Sequence, residues 1–162
     1  MMKKYPYFKK VQTCADGSPA PDPLTHRIER AVRFEEVDAL NVVWHGRYPS
    51  YLEDGRVAFG EAYGLGYLAL RDAGIVAPIR QMHLDYMAPL RFGQMCTIET
   101  TLLWDDAAKL VFIYRLFDEK DRVLTTGYTT QLFLTMQGEI YMGYPEFYQQ
   151  FCQKWQRGTL GV

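Results

Sequence analysis

The sequence predicts an α+β domain in which a five-stranded antiparallel sheet wraps around one long helix, with an extra helix at the C-terminus. Three observations carry that expectation. A stretch from Tyr48 to Tyr63 repeats apolar residues every three or four positions. Four strand-like segments follow residue 76, separated by short polar turns. The tail "PEFYQQFCQKWQR" spaces Phe147, Phe151 and Trp155 four apart. At 162 residues, 48% of them hydrophobic and 15% aromatic, the chain can bury one substantial core. The expected organisation is an N-terminal arm over 1–26, a sheet-and-helix domain over 27–143, and an amphipathic helix over 144–162 packed on it.

The arm holds "ADGSPAPDPLTH", whose prolines and glycine make it loop rather than a packed element. "RIERAVRFEE", residues 27–36, alternates Ile28, Ala31 or Val32, and Phe34, and is read as the first strand. In the long helix, Tyr48, Tyr51, Leu52, Gly55, Phe59, Ala62 and Tyr63 fall on one face. Pro49 suits a first helical position, where a missing N–H costs nothing. Glu53 and Asp54 lie near the positive end of the dipole. Gly64 and Gly66 are placed to stop the helix. A short second helix over 67–72 ends at Gly74. Gly55 lies on the apolar stripe and Gly60 just off it. Each weakens a helix interior by roughly 1 kcal/mol relative to alanine. Their presence predicts a close approach of sheet to helix backbone, where a Cβ would not fit.

The later segments read as strands in turn. "VAPIRQMHLDYMAPL" sets Met82, Leu84 and Tyr86 against Gln81, His83 and Asp85. "QMCTIETTLLW" sets Cys96, Ile98 and Leu102 against Thr97, Glu99 and Thr101. "KLVFIYRLFD" is apolar on both faces, as a central strand can be. "DDAAK" and "DEKD" are polar turns around it, and "RVLTTGYTTQLFLT" is the last long strand.

Several function classes are disfavoured. Formal net charge is −1 and the basic residues are dispersed, so no nucleic-acid surface is expected. The apolar runs are too short to span a bilayer, and "MMKKYPYFKK" lacks the apolar core of a signal peptide. Cys14, Cys96 and Cys152 are widely spaced and odd in number, which predicts free thiols in a reducing, cytoplasmic location. No metal site is expected, because His26 and His83 lack ligand spacing. There is no glycine-rich phosphate loop and no G-x-S-x-G elbow.

The chemistry-bearing residues concentrate in "RFEEVDALNVVWHGRYPSYLEDGR", residues 33–56. Asp38 stands between the first strand and the helix, where a carboxylate can attack a carbonyl carbon or activate water. The helix N-terminus offers unpaired N–H groups and a positive dipole end, suited to a developing oxyanion. A loop aspartate can equally be a turn or capping residue. His45 can bind substrate, orient Asp38 or cap the helix. Tyr48 can donate its hydroxyl or simply pack in the core. Glu53 and Arg56 stand i, i+3, as a local ion pair does.

The stretch "FEEVDALNVVWHGRYPSYLED" resembles the motif of the hotdog-fold acyl-CoA thioesterases, the group of 4-hydroxybenzoyl-CoA thioesterase and the YbgC-type enzymes. The matching residues are Phe34, Asp38, Val42, Val43, Trp44, His45, Tyr48 and Glu53. "MHLDYMAPLRFGQ" is a second match, through Asp85, Tyr86, Pro89 and Arg91. Two positions depart from the family pattern: Val37 replaces a hydroxyl residue, and Asn41 replaces a glycine. Asparagine is the next best residue at positive φ, so the turn is expected to survive.

The resemblance implies hydrolysis of an acyl-CoA or acyl carrier protein thioester, with Asp38 as nucleophile or general base. It implies backbone N–H groups near His45 and Gly46 as oxyanion donors, and a site at a subunit interface of a homodimer or homotetramer. Coenzyme A enters as part of the substrate, and no other cofactor is expected. Glu53, Arg80, Arg91 and Lys109 are candidate substrate-binding residues. Two alternatives stand beside this: a hotdog dehydratase or hydratase acting on 3-hydroxyacyl thioesters, pairing His45 with Asp38 or Glu53, and a non-catalytic acyl-thioester binding protein.

Overall fold

The computed structural model describes residues 7–161. Strand β1 (Leu24–Ala31) is followed by helix α1 (Tyr48–Tyr63) and the short α2 (Tyr67–Asp72). Then come β2 (Ile75–Val76), β3 (Ile79–Tyr86), β4 (Met95–Leu103), β5 (Lys109–Phe117), β6 (Val123–Leu132), β7 (Leu134–Thr135) and α3 (Glu146–Gln156). The main sheet is antiparallel with strand order β1-β4-β5-β6-β3, so β1 and β3 form its edges. A small second sheet, not foreseen from the sequence, pairs β2 with β7.

Helix α1 lies on one face of the main sheet, against β1 and β4. Its buried residues are Tyr48, Tyr51, Leu52, Gly55, Arg56, Phe59 and Gly60, close to the face the periodicity predicts. Pro49 sits in the first turn. The helix ends at Gly64, in the left-handed region at φ 74°, and the Leu65 N–H closes the end on the Gly60 carbonyl at 2.9 Å. The two helix glycines do different work. A Cβ on Gly55 would stand 2.9 Å from Ile98 Cγ2 and closer still to Thr100 Oγ1, so this glycine admits the sheet. A Cβ on Gly60 would meet the Gly66 Cα at 2.7 Å, so this one admits the turn into α2 rather than the sheet.

The first strand lies earlier than the sequence reading of 27–36. Pairing with β4 runs from Leu24↔Leu102 to Ala31↔Met95 and then stops. Residues Phe34–Glu36 instead form a 3-10 turn, because the Glu36 carboxylate turns back to accept the Arg33 N–H at 2.8 Å. Phe34, expected on an inward strand face, is 77% exposed.

The outer face of the sheet carries Leu103, Val111 and Ile113, all buried. An antiparallel sheet can leave that face to solvent. Here the N-terminal arm covers it: Tyr7 and Phe8 pack there with Tyr128, their rings about 5.1 Å from its ring. The Tyr7 hydroxyl donates to Asp85 Oδ2 at 2.5 Å and lies 2.7 Å from Thr126 Oγ1. Helix α3 buries Tyr148, Phe151, Cys152 and Trp155, with Trp155 against Trp104 and its indole N–H bonded to the Asp22 carbonyl.

Candidate active site

Residues 36–44 form a tight loop that hangs between β1 and α1. Its base is closed by the Trp44 N–H donating to the Glu36 carbonyl at 2.9 Å. Inside that, the Asp38 N–H donates to the Val42 carbonyl and the Asn41 N–H to the Asp38 carbonyl, each at 2.9 Å. Asn41 takes φ 58°, the left-handed conformation its side chain tolerates. The loop is tied to the β3–β4 connection by the Val43 N–H on the Leu90 carbonyl and by a bridge between Val42 and Arg91.

Asp38 stands near the tip of this loop. Its Oδ1 accepts the Leu40 N–H at 2.8 Å and, more weakly, the Val42 N–H at 3.4 Å. That is the turn-forming geometry of aspartate. It fixes one carboxylate oxygen, while Oδ2 has no hydrogen-bond partner among the described residues. The turn-forming role and a chemical role are therefore compatible in one side chain.

The 3-10 turn His45–Arg47 leads directly into α1. The Arg47 N–H bonds back to the Trp44 carbonyl at 2.8 Å. The His45 and Gly46 N–H groups find no acceptor among the described residues, as helix-start donors commonly do not. A Cβ on Gly46 would approach the Trp44 indole to 2.8 Å at Cε3, and closer at the ring edge. Glycine there lets the half-exposed indole fold over the turn, with its ring 5.0 Å from that of His45.

Asp38, His45 and Tyr48 line one open cleft of about 420 Å³, with Val42, Val43, Tyr86, Met87, Ala88 and Pro89. Gly46 is not among its lining residues, whereas His45 is. Tyr48 is buried at the cleft floor. Burial pushes its phenol pKa up, opposed in part by hydrogen bonding to the Leu90 backbone. Tyr86 packs edge-on against Tyr48 at 4.8 Å, and its hydroxyl donates to the His45 carbonyl at 3.2 Å. Desolvation raises the Tyr86 pKa as well, so both phenols are neutral donors at ordinary pH.

The remaining candidates are not gathered there within one chain. Glu53 is paired with the buried Arg56 guanidinium, whose other partners are Tyr67 and Tyr114. The ion-pair reading of Glu53 and Arg56 therefore holds. Lys109 is paired with Asp105 at 3.0 Å. Arg80 and Lys109 both lie at the sheet end marked by Ile79↔Gln131 and Lys109↔Leu132, whereas the cleft lies at the Tyr86↔Thr125 end. Only Arg91, through its bridge to Val42, sits beside the cleft loop. Among the described residues no group of three or more His, Cys, Asp or Glu is arranged to hold a metal ion. No described helix is long and apolar enough to cross a membrane.

Sequence reasoning passed over Glu36 and Arg30. Glu36 is 3% exposed. It pairs with Arg30, accepts the Tyr51 hydroxyl at 2.8 Å and accepts the Arg33 N–H. Arg30 also reaches Asp54 at 2.9 Å and lies 3.8 Å over the Tyr51 ring. The signal was present as two adjacent acids and a helix tyrosine fifteen residues on, but nothing in that spacing says which acid turns inward.

Residues 32–152 match the family model of the thioesterase-like superfamily. The chain belongs to the thioesterase-like superfamily. Its relatives include the acyl-CoA thioester hydrolase YbgC of Escherichia coli O157:H7, 28% identical over 93 residues, or 57% of this chain and 69% of the relative. The acyl-acyl carrier protein thioesterase ATL3 of Arabidopsis thaliana is 27% identical over 92 residues, covering 57% of this chain and 48% of the relative. The match spans 65% of YneP of Bacillus subtilis, so the chain covers less than two thirds of the length of some curated relatives. Among solved structures, the hypothetical protein TT1821 from Thermus thermophilus superposes with a TM-score of 0.72 at 30% identity. It covers 82% of this chain and 98% of its own. The DHNA-CoA thioesterase from Staphylococcus aureus has a TM-score of 0.70 at 21% identity, covering 83% and 95%, which shares the fold. The hotdog architecture expected from the sequence is the one observed.

Proposed function

We propose that this chain hydrolyses acyl thioesters at the Asp38 cleft. One observation carries the reading: an Asp38 oxygen and the N–H of His45, both without a partner among the described residues, belong to residues lining the same cleft, the carboxylate and the donor that acyl transfer requires. The thioester carbonyl oxygen would receive the His45 N–H, with Gly46 as a second donor. Asp38 would either attack the carbonyl carbon, giving an acyl-aspartyl anhydride that a water then hydrolyses to the free acid, or take a proton from the attacking water. The C–O bond forms, the C–S bond breaks, and the thiolate leaves as a free thiol after protonation. Tyr48 and Tyr86 would wall the acyl group with neutral phenols.

The names of the relatives support coenzyme A or an acyl carrier protein as the thiol carrier. No cofactor beyond that carrier is called for by this chemistry. Arg91 is the basic candidate nearest the cleft within one chain, and Arg80 and Lys109 would need a second subunit to approach it. The edge position of β3, which pairing with a second subunit would cover, supports a homodimer or homotetramer. Three free cysteines suit a reducing, cytoplasmic compartment. The dehydratase alternative asks for a histidine paired with a carboxylate. The His45 ring has no carboxylate partner among the described residues, and Glu53 is engaged by Arg56.

The test is thiol release from a panel of acyl-CoA esters, wild type beside Asp38→Asn at matched folding. Release by wild type and loss in the variant supports the reading. Undiminished turnover by the variant ends it. Sedimentation giving a strict monomer at micromolar concentration would end the assembly proposal.

A further inference from the structure

We infer that Glu36 is a positioning residue for the Asp38 site, holding the catalytic loop at its base so that the free Asp38 oxygen keeps its place along the cleft. The inference rests on the reading of Asp38 just given. Glu36 touches no cleft residue through its carboxylate and is absent from the cleft lining. It nevertheless holds both strands of the loop. Its carbonyl receives the Trp44 N–H, one residue before His45, and its own position is two residues before Asp38.

Three donors converge on its two carboxylate oxygens. Arg30 lies on Oε1, and the Tyr51 hydroxyl and Arg33 N–H lie on Oε2. Only a group with acceptors alone satisfies all three. Each donor ties the loop to a different part of the fold: Arg30 to β1, Tyr51 to the floor of α1, Arg33 to the turn before the loop. Tyr51 is fully buried, and burial together with its bond to Glu36 raises its pKa far above the ordinary phenol value, so the hydroxyl stays a donor throughout. Arg30 has its own second anchor on Asp54. The loop is thus pinned at its base by a buried charge network and along one side by Leu90 and Arg91, while its tip carries the reacting group.

Glutamine at 36 must present an N–H₂ either to Arg30 or to the Tyr51 and Arg33 donors, so it breaks one side of the clamp while keeping the side chain's volume. A shift of about 1 Å in a reacting group can cost on the order of 100-fold in rate. The expected result is a fall in kcat of about 10- to 100-fold for Glu36→Gln with KM changed less than about twofold. The same substitution in the Asp38→Asn background should change the residual kcat by less than about twofold, because its effect passes through Asp38. Tyr51→Phe removes one donor without touching the loop and should act in the same direction more weakly, about 3- to 10-fold. If Glu36→Gln does not fold, Tyr51→Phe in both backgrounds decides the question.

Equal fractional losses with and without Asp38, or full kcat in a folded Glu36→Gln, would overturn the positioning role while leaving Asp38 in place. A wild-type protein that releases no thiol from any ester would overturn both.

Discussion

Gly55 on α1 and Thr100 on β4 meet with no room for a methyl group between them. Thr100 is fully buried, and its Oγ1 has no hydrogen-bond partner among the described residues. Gly55→Ala gains about 1 kcal/mol of helix propensity but overpacks the interface, typically costing 1–3 kcal/mol. The expected outcome is a net loss of up to about 2 kcal/mol in urea unfolding. Thr100→Ala removes the worst contact, so the double variant should be less destabilised than the sum of the single changes.

Asp38→Asn keeps the acceptor that holds the Leu40 N–H and removes the negative charge. Loss of a general base or nucleophile predicts a fall in kcat of about 10²- to 10⁴-fold, with unfolding temperature within about 2 °C of wild type. A similar loss in Asp38→Ala accompanied by a large drop in stability would show that the turn role had been removed as well.

Tyr86→Phe deletes the hydroxyl that donates to the His45 carbonyl at 3.2 Å. The bond is half exposed, so its removal should cost only about 0.5 kcal/mol of stability. The His45 peptide would lose one restraint, and kcat should fall about 2- to 5-fold. Single-turnover rates on the best ester would read this directly.

The Tyr7–Asp85 bond gives the N-terminal arm a pH window. The hydrogen bond from Tyr7 lowers the Asp85 pKa, so its stabilisation is complete above the unfolded carboxylate value of about 3.9 and is lost as pH falls through the lowered folded value. Desolvation and the bond to Asp85 push Tyr7 up to about 12, so its stabilisation is complete below an unfolded value of about 10 and is lost as pH rises from there to about 12. Tyr7→Phe should flatten the stability profile at both ends. A profile unchanged by the substitution would show that the arm is held by packing alone.

Most of the fold was legible because it follows from period and punctuation. The α1 stripe, the Gly64 stop, the four later strands and the Phe147–Trp155 repeat all appear where the sequence places them. The first strand was misplaced because alternation in 27–36 continues past the point where β4 stops offering partners, and a side chain–backbone bond from Glu36 then outcompetes the ladder. The site was half legible. Asp38, His45 and Tyr48 are local in sequence, so one motif found all three. Tyr86 at the end of β3 and Leu90 in the connection after it reach the loop from far along the chain, and Glu36 is distinguished from Glu35 only by which of them turns inward. Arg80 and Lys109 were chosen by charge alone, which carries no positional information, whereas Arg91 also belongs to the second motif and lies beside the cleft loop.

The three thiols have a practical consequence. Cys14, Cys96 and Cys152 are all buried and unpaired. Burial pushes the Cys96 and Cys152 thiols up to about 12, far from the thiolate form that reacts with aromatic disulfide reagents. A colorimetric assay of released thiol can therefore run on the native protein with little background from the protein itself. On denaturation the same reagent should titrate three equivalents per chain, so one reagent reports substrate turnover from the folded molecules and counts the unfolded ones.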